Sequence, residues 1–470
     1  MKIAFVSGKF NILHPGHLRL FRAAKKIADK LVVGVLNDKN VGSAAVVNQQ
    51  LRLESVKSIT LVDEAFIIEN SIKEDLLRIK PNYVLKGKEH EKKINDEFEI
   101  IKDWGGKLIF NSGEMFFSSS DLIKNEIKEI KSKTPQDYMS RHALNHDNLK
   151  KIIDKYSNLT ICVIGDLILD QYINCDPLGM SQEDSVIVVT PTDDKLFIGG
   201  AGIVSAHASN LGANVDFYSV TGTDKDSTIS INMLKENNVN FINFPDEGRP
   251  TTKKIRYKSK NQTLLKVSYL RQHQIEASIE DDLIKNVLKN IDKYNLIVFS
   301  DFNYGLITKN IIEKISSVAQ SKRIIVVADC QTSSQFGDIL KYKNINLITP
   351  TEHEARVSLK NKDDGIVVLS EQLRKLSGVQ NILLKLGVDG VLIHAGDNKN
   401  FETDQIPALN LNAIDTAGAG DSFLIVSSLS LACSASIWEA SLLGSYAASI
   451  QVSRAGNIPI TKNELLSILQ

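Results

Sequence analysis

Cysteine is scarce: the chain has four in 470 residues, at positions 162, 175, 330 and 433. No two of them stand at metal-site or redox-motif spacing, which argues against a disulfide scaffold and a structural zinc site. Charge of one sign is missing as well, since 56 basic and 56 acidic side chains cancel. Without a basic excess there is no electrostatic footprint for nucleic acid. Residues Met1 to Phe10 lack the apolar core of a signal peptide, so the expected location is the cytoplasm. Long apolar runs are also lacking. The one candidate, Ser422–Trp438, is uncharged but diluted by serine, and falls short of the ~20 apolar residues that span a bilayer. It reads as a helix buried against a sheet, and no membrane partner is expected.

What the chain does contain is a recurring pattern of short apolar runs, each followed by a segment of helical period. Lys2–Val6, Leu31–Leu36, Thr160–Gly165, Leu296–Ser300, Ile324–Ala328 and Ile382–Leu386 lack polar alternation, as parallel strands covered on both faces do. The expected fold is α/β with two doubly wound domains. Length agrees, allowing two or three domains of about 100–200 residues. Asp121–Lys131 reads as a helix, and Ser132–Asp137 is a polar stretch broken by proline. The boundaries are therefore set at 1–131 for a first domain, 132–158 for a linker or connecting helix, and 159–470 for a second. Alternating segments near Asp184–Thr190 and Lys253–Val267 suggest a small β lid of antiparallel strands.

Chemistry concentrates at two places. The first is Gly8-Lys-Phe10-Asn-Ile-Leu-His14-Pro-Gly-His17, where a strand ends and a helix begins at a proline suited to the first turn. His14 and His17 approach each other there, beside free helix N–H groups that favour an anion. Two imidazole donors would stabilise charge on a phosphoryl group in transit. Further on, Ser118, Ser119 and Ser120 are hydroxyl donors that can hold phosphates or cap the following helix.

The second place is Asp415-Thr-Ala417-Gly418-Ala419-Gly420-Asp421 before the uncharged run. Small residues let consecutive backbone N–H groups converge on a phosphoryl group, and Asp421 can take a proton from an attacking hydroxyl. Upstream, Gly199-Gly200-Ala201-Gly202 opens a helix of small residues, and Asp166 and Asp170 follow a strand. Close packing and a helix cap remain alternatives for these two features.

The first 130 residues or so resemble the cytidylyltransferase-like nucleotidyltransferases, on the His14/His17 motif, Asn37-Asp38, Arg52, Lys80–Gly87 and Phe117–Asp121. The resemblance implies that Gly8, Phe10, Lys39, Arg52, Lys86 and Ser118–Ser120 bind nucleotide. Lysines usual between the second strand and the Arg52 helix are missing in Val41–Val47, and Asn11 stands where aspartate is common. From about residue 155 to 470 the chain resembles the ribokinase-like carbohydrate kinases. This implies a Mg²⁺- and ATP-dependent kinase with Asp421 as base and phosphates held at Thr351, Glu354, Gly387 and Ala417–Gly420, Glu354 organising Mg²⁺ indirectly. Its sugar side would comprise Asp166, Asp170, Glu183, Gly199, Gly200, His207, Lys254, Arg256 and Asp301. Ser300–Gly305, Thr251–Arg256 and Asn261–Leu265 resemble the heptose-phosphate kinase branch, which ADP-heptose synthases fuse, kinase first, to a nucleotidyltransferase of the same type. Ile203 and His207 stand where asparagines are usual, Thr351 replaces an asparagine, Cys330-Gln331 replaces a Pro-Lys pair, and Gly179 replaces an arginine.

The resemblances together imply a bifunctional enzyme taking a sugar phosphate, with heptose 7-phosphate first, and ATP or CTP. A homodimer is implied as well. Another sugar or polyol, or a scaffold with one degenerate site, stays open.

Overall fold

The computed structural model describes residues 2–11, 13, 15–41, 47–87, 97–111, 135–259, 262–331, 338–396, 401–410 and 413–469. His14, Ser118–Ser120 and the helix expected over Asp121–Lys131 lie outside the described residues. The chain divides into two compact units. One comprises residues 1–130 together with 359–375 and 392–405; the other comprises 131–358, 376–391 and 406–470.

In the first unit β1 (Ile3–Gly8), β2 (Lys30–Leu36), β3 (Glu64–Ile68), β4 (Tyr83–Gly87) and β5 (Lys107–Asn111) form a parallel sheet in the order β3-β2-β1-β4-β5. The order reverses at β1, so a crevice opens beyond its carboxyl end, where such sheets bind ligands. Phe5, Val32, Ile68, Leu76, Val84 and Ile101 make a buried cluster at 0–2% exposure, which explains why these strands carry no polar alternation.

The second unit is built on β6 (Thr160–Gly165), β7 (Leu167–Met180), β8 (Ile187–Gly200), β9 (Asn214–Thr221), β10 (Asn240–Pro245), β11 (Lys253–Ser259), β12 (Gln262–Tyr269), β13 (Leu296–Asp301), β14 (Ile325–Cys330), β15 (Leu347–Ile348) and β16 (Asn381–Lys385). Its main sheet runs β10-β9-β6-β13-β14-β15-β16, with every neighbouring pair parallel. A smaller sheet runs β12-β11-β7-β8.

Three local expectations need correcting. The small sheet is mixed, because β7 and β11 pair in parallel while β7–β8 and β11–β12 are antiparallel. Its longest strands, β7 and β8, extend well beyond the alternating stretch, because their core-side ends are apolar and read as core strand. The uncharged run Ser422–Trp438 is not one helix: Ala419–Ala432 ends at Cys433, and a second helix spans Ile437–Gln451. Ser434, at φ 64°, turns the chain, and Ser436 and Glu439 cap the new helix reciprocally. Serine survives inside both helices because its hydroxyl bonds back one turn, as Ser428 does to the Leu424 carbonyl at 2.6 Å and Ser430 to Val426 at 2.7 Å. Among the described residues no helix is long and apolar enough to cross a membrane.

Candidate active sites

Asp421 lies in the first turn of the Ala419–Ala432 helix, 6% exposed. Gly418 caps that helix at φ 75°, a left-handed conformation that glycine adopts without strain. A Cβ there would also stand 2.5 Å from Asn457 Oδ1. The turn is braced by Asp415, which accepts from the Ala417 N–H at 3.1 Å and the Gly456 N–H at 3.2 Å. Gln451 donates to the Gly456 carbonyl at 2.8 Å and the Ala417 carbonyl at 3.3 Å. The helix N-terminus therefore presents Ala417–Gly420 as a cradle for an anion.

Burial, reinforced by the fields of Asp329 and Asp170 against those of Lys385 and Lys254, pushes the Asp421 carboxyl up to about 7. Its Oδ1 has no hydrogen-bond partner among the described residues. A buried carboxyl with an unused acceptor, titrating near neutrality, is suited to take a proton from a substrate hydroxyl.

Around it stands a charged set. Asp170 pairs with Arg256 at 2.6 Å and accepts from Asn457 Nδ2 at 3.1 Å, while Arg256 also lies 5.0 Å over the Tyr172 ring. Lys254 sits over the rings of Phe302 and Tyr304, at 5.0 and 5.3 Å. Asp166 accepts the Phe302 N–H at 2.8 Å, and burial together with the Asp301 charge raises it to about 7. Gly199 and Gly200 close β8 beside these two aspartates.

Other expected residues are engaged internally or lie apart from this set. Asp301 is 1% exposed and engaged internally, paired with Lys341, accepting from the Tyr342 hydroxyl at 2.8 Å and from the Asn303 N–H at 2.8 Å. His207 is fully buried in the Ala201–Asn210 helix, its Nδ1 accepting from the Ile460 N–H at 2.9 Å, and burial lowers it to about 3. Ile203 is equally buried. Glu183 is exposed in the turn between β7 and β8. Gly387 opens a short turn with free space where a side chain would stand. Glu354 and Thr351 cap the Glu352–Leu359 helix for each other: Glu354 Oε2 accepts the Thr351 N–H at 2.6 Å, and Thr351 Oγ1 accepts the Glu354 N–H at 3.2 Å. Among the described residues no group of three or more His, Cys, Asp or Glu is arranged to hold a metal.

Sequence reasoning passed over Lys385, Asp329, Asn457 and Gln451. Lys385 closes β16 one residue before the turn at Leu386–Gly390 and pairs with the buried Asp329 at 2.7 Å. A cation ending an apolar strand was the available signal for it. The Asn457 and Gln451 contacts depend on the chain returning after the last long helix, and nothing local marks them.

In the first unit the helix Pro15–Ile27 follows the turn after β1. Phe10, at φ 48° and 4% exposed, packs on His17 and Phe21 with ring centroids 5.2 and 5.8 Å apart, and its ring lies about a Cβ contact from Gly8. The ring thus fixes the position of the imidazole. Arg52 is fully buried and donates to the carbonyls of Lys9, of Leu36 at 2.8 Å and of Val47 at 2.8 Å, and to Asp38 at 2.6 Å. Four of its five N–H groups are so engaged, and they tie the chain after β1 to the end of β2 and to the stretch before its own helix. Lys86 pairs with Glu97 at 2.6 Å, and Lys39 is exposed on the short Asp38–Val41 helix.

A braced helix-start cradle beside a buried acid, on a long parallel sheet with a small lid sheet, defines a carbohydrate-kinase architecture, preceded here by a nucleotidyltransferase-like sheet. The chain belongs to the pfkB family of carbohydrate kinases, whose model matches residues 158–463; the cytidylyltransferase-like model matches residues 5–171. Among curated proteins it is similar to the bifunctional protein HldE of Sulfurimonas denitrificans, 29% identical over 315 residues, covering 65% of this chain and 63% of that one. HldE of Desulfatibacillum aliphaticivorans is 28% identical over 322 residues, covering 68% and 64%. The match thus takes in less than two thirds of either relative's length, and the two modules stand in reversed order here. Among solved structures, Arabidopsis thaliana ribokinase with ribose and ATP superposes with a TM-score of 0.51 at 16% identity, over 66% of this chain and 99% of that one. Escherichia coli phosphofructokinase-2 gives 0.54 at 17%, over 66% and 98%. These two likenesses establish the fold.

Proposed function

We propose that the chain is a bifunctional sugar-activating enzyme, its kinase module within 159–470 and its nucleotidyltransferase module within 1–131. The kinase takes a sugar phosphate, with heptose 7-phosphate as first choice, and Mg·ATP. Asp421 accepts the proton of the anomeric hydroxyl as that oxygen attacks the γ-phosphorus; the bond to the β-phosphate oxygen breaks and ADP leaves. Backbone N–H groups at Ala417–Gly420 meet the charge on the transferred group. Asp166, Asp170, Lys254 and Arg256 orient the sugar, and Glu354 is the residue that would help hold Mg²⁺, which when bound would offset charge on the phosphates.

The nucleotidyltransferase then joins the sugar 1-phosphate to the nucleotide of ATP. A phosphate oxygen attacks the α-phosphorus and pyrophosphate leaves, with His14 and His17 donating to the charge that develops. Both steps use small soluble metabolites, in keeping with a cytoplasmic enzyme. The exposed apolar side chains Leu178, Met180 and Ile187 of the lid strands, with Val186 in the turn between them, support a homodimer formed through that sheet.

The observation that carries this reading is Asp421, a buried acid with an unused oxygen in the first turn of the cradle helix. The test is a panel of sugar phosphates with ATP and CTP, read for sugar 1-phosphate, NDP-sugar and pyrophosphate. Turnover of CTP but not ATP in the second step overturns the nucleotide choice. A chain as inert as its Asp421→Asn variant with every sugar overturns the enzyme reading in favour of a scaffold.

A further inference from the structure

Lys385 borders the cradle at Gly420, as Lys258 does through its pair with Asp415 at 3.5 Å, and the kinase reading above gives Lys385 no role. Its Nζ lies 3.3 Å from the point where a Cβ on residue 420 would stand, so glycine at 420 leaves the space beside the ammonium open. One N–H goes to Asp329 at 2.7 Å, and no further hydrogen-bond partner exists among the described residues. The side chain is 15% exposed against 2% for Asp329, so the pair is not sealed. Asp329 is itself held by the Thr349 hydroxyl at 2.8 Å, which fixes the point from which the ammonium reaches out.

Charge arithmetic around the turn gives this placement its meaning. The groups whose fields reach Lys385 are Asp329, Glu354 and Asp421, all carboxylates. Those that reach Asp421 are Asp329 on β14, Asp170 on β7, Lys385 on β16 and Lys254 on β11. A phosphoryl group entering this set meets several negative charges, and helix N–H dipoles carry only about half a unit of opposing charge. Lys254 is turned over the rings of Phe302 and Tyr304. Lys385 supplies a full positive charge at the glycine that opens the cradle.

We propose that Lys385 is a catalytic residue of the phosphoryl-transfer step, its free N–H groups meeting the transferred phosphoryl oxygens beside Gly420. The rival role is purely structural: neutralising Asp329. Two variants of the full chain separate them. Lys385→Met removes the ammonium and leaves Asp329 unpaired; Lys385→Met with Asp329→Asn removes both charges and restores neutrality.

The expected result is a fall in kcat for phosphorylation of about 10²–10³-fold in both variants, the size of losing one charge-stabilising donor, with the sugar KM little moved. The nucleotidyl step on supplied sugar 1-phosphate stays at the wild-type rate, and a calorimetric transition of the second unit kept near that of wild type reports that the mutated module is folded. The acid limb of the phosphorylation profile moves to higher pH in the single variant, since a cation that favours ionised Asp421 is gone. It returns towards the wild-type position in the double variant, where a repelling carboxylate is gone too.

Recovery of wild-type kcat in the double variant assigns Lys385 to structure and overturns the proposal. If the single variant fails to fold, the double variant decides alone. A wild-type chain that phosphorylates no sugar overturns the kinase reading, and this role with it. A wild type that turns over while both variants keep its kcat overturns this role only.

Discussion

The two sites handle cationic side chains in opposite ways. In the first unit, the arginine expected to face phosphate is committed to internal partners, Arg52 donating to three carbonyls and to Asp38. What stands at the helix start is an imidazole positioned by the Phe10 ring. In the second unit the cradle is braced by Asp415 and Gln451, while Asp421 keeps one acceptor unused. A charged residue near a phosphate site therefore reads two ways, as ligand or as clamp. The count of its satisfied hydrogen bonds separates them, because a group that has spent its donors has none left to give.

The sharpest break of this comparison is Asp421→Asn. Loss of a general base costs on the order of 10²–10⁴-fold in rate, so phosphorylation should fall that far while nucleotidyl transfer is kept. Loss of both steps would mean the modules do not act separately. His17→Ala is the mirror experiment. Nucleotidyl transfer should drop about 10²–10³-fold with the kinase rate unchanged, measured on supplied sugar 1-phosphate.

Arg52→Met tests the clamp. Removing it strands buried carbonyls and the Asp38 carboxylate, at about 3–5 kcal/mol, so the first module should melt earlier by calorimetry while kinase activity persists. A variant that melts normally but loses nucleotide affinity would make Arg52 a ligand after all.

A smaller effect concerns pH. The Asp421 carboxyl has an ordinary value of 3.8 and is raised to about 7 in the fold. Between those values the unfolded chain releases the proton and the folded chain keeps it, so this group's stabilising contribution is complete below pH 4 and lost as pH rises through 7. Asp421→Asn should therefore raise the melting temperature at pH 8 relative to wild type and leave it near wild type at pH 4. The smallest expected change in rate comes from Leu178→Lys with Met180→Lys. Sedimentation should show loss of the dimer with each step's kcat nearly kept; a wild-type chain already monomeric would remove the lid-sheet interface.

Much of the fold could be read in the chain. Apolar runs at Thr160–Gly165 and Leu296–Ser300 lie within one residue of β6 and β13, because a strand buried on both faces needs an unbroken apolar register. The small lid was read less well. Its strands are apolar at one end and exposed at the other, so neither alternation nor an apolar run marks their full length. At the kinase site the Ala417–Asp421 turn was legible, since close approach to a helix start demands small residues in sequence. Asn457 and Lys385 were not legible as neighbours of that turn, Asn457 lying 39 positions after Gly418 and Lys385 lying 35 positions before Gly420 along the chain.

Sequence alone determined two α/β modules and marked a candidate turn before a helix in each, because strand burial and helix starts leave local patterns in residue size and polarity. Tertiary structure decided which charged residues are clamps and which stay available. It buried His207 and committed Arg52, and it left Asp421 with an open oxygen beside Lys385. The physical reason is that a side chain's protonation and hydrogen-bond capacity are set by whatever packs against it, and those neighbours come from distant parts of the chain.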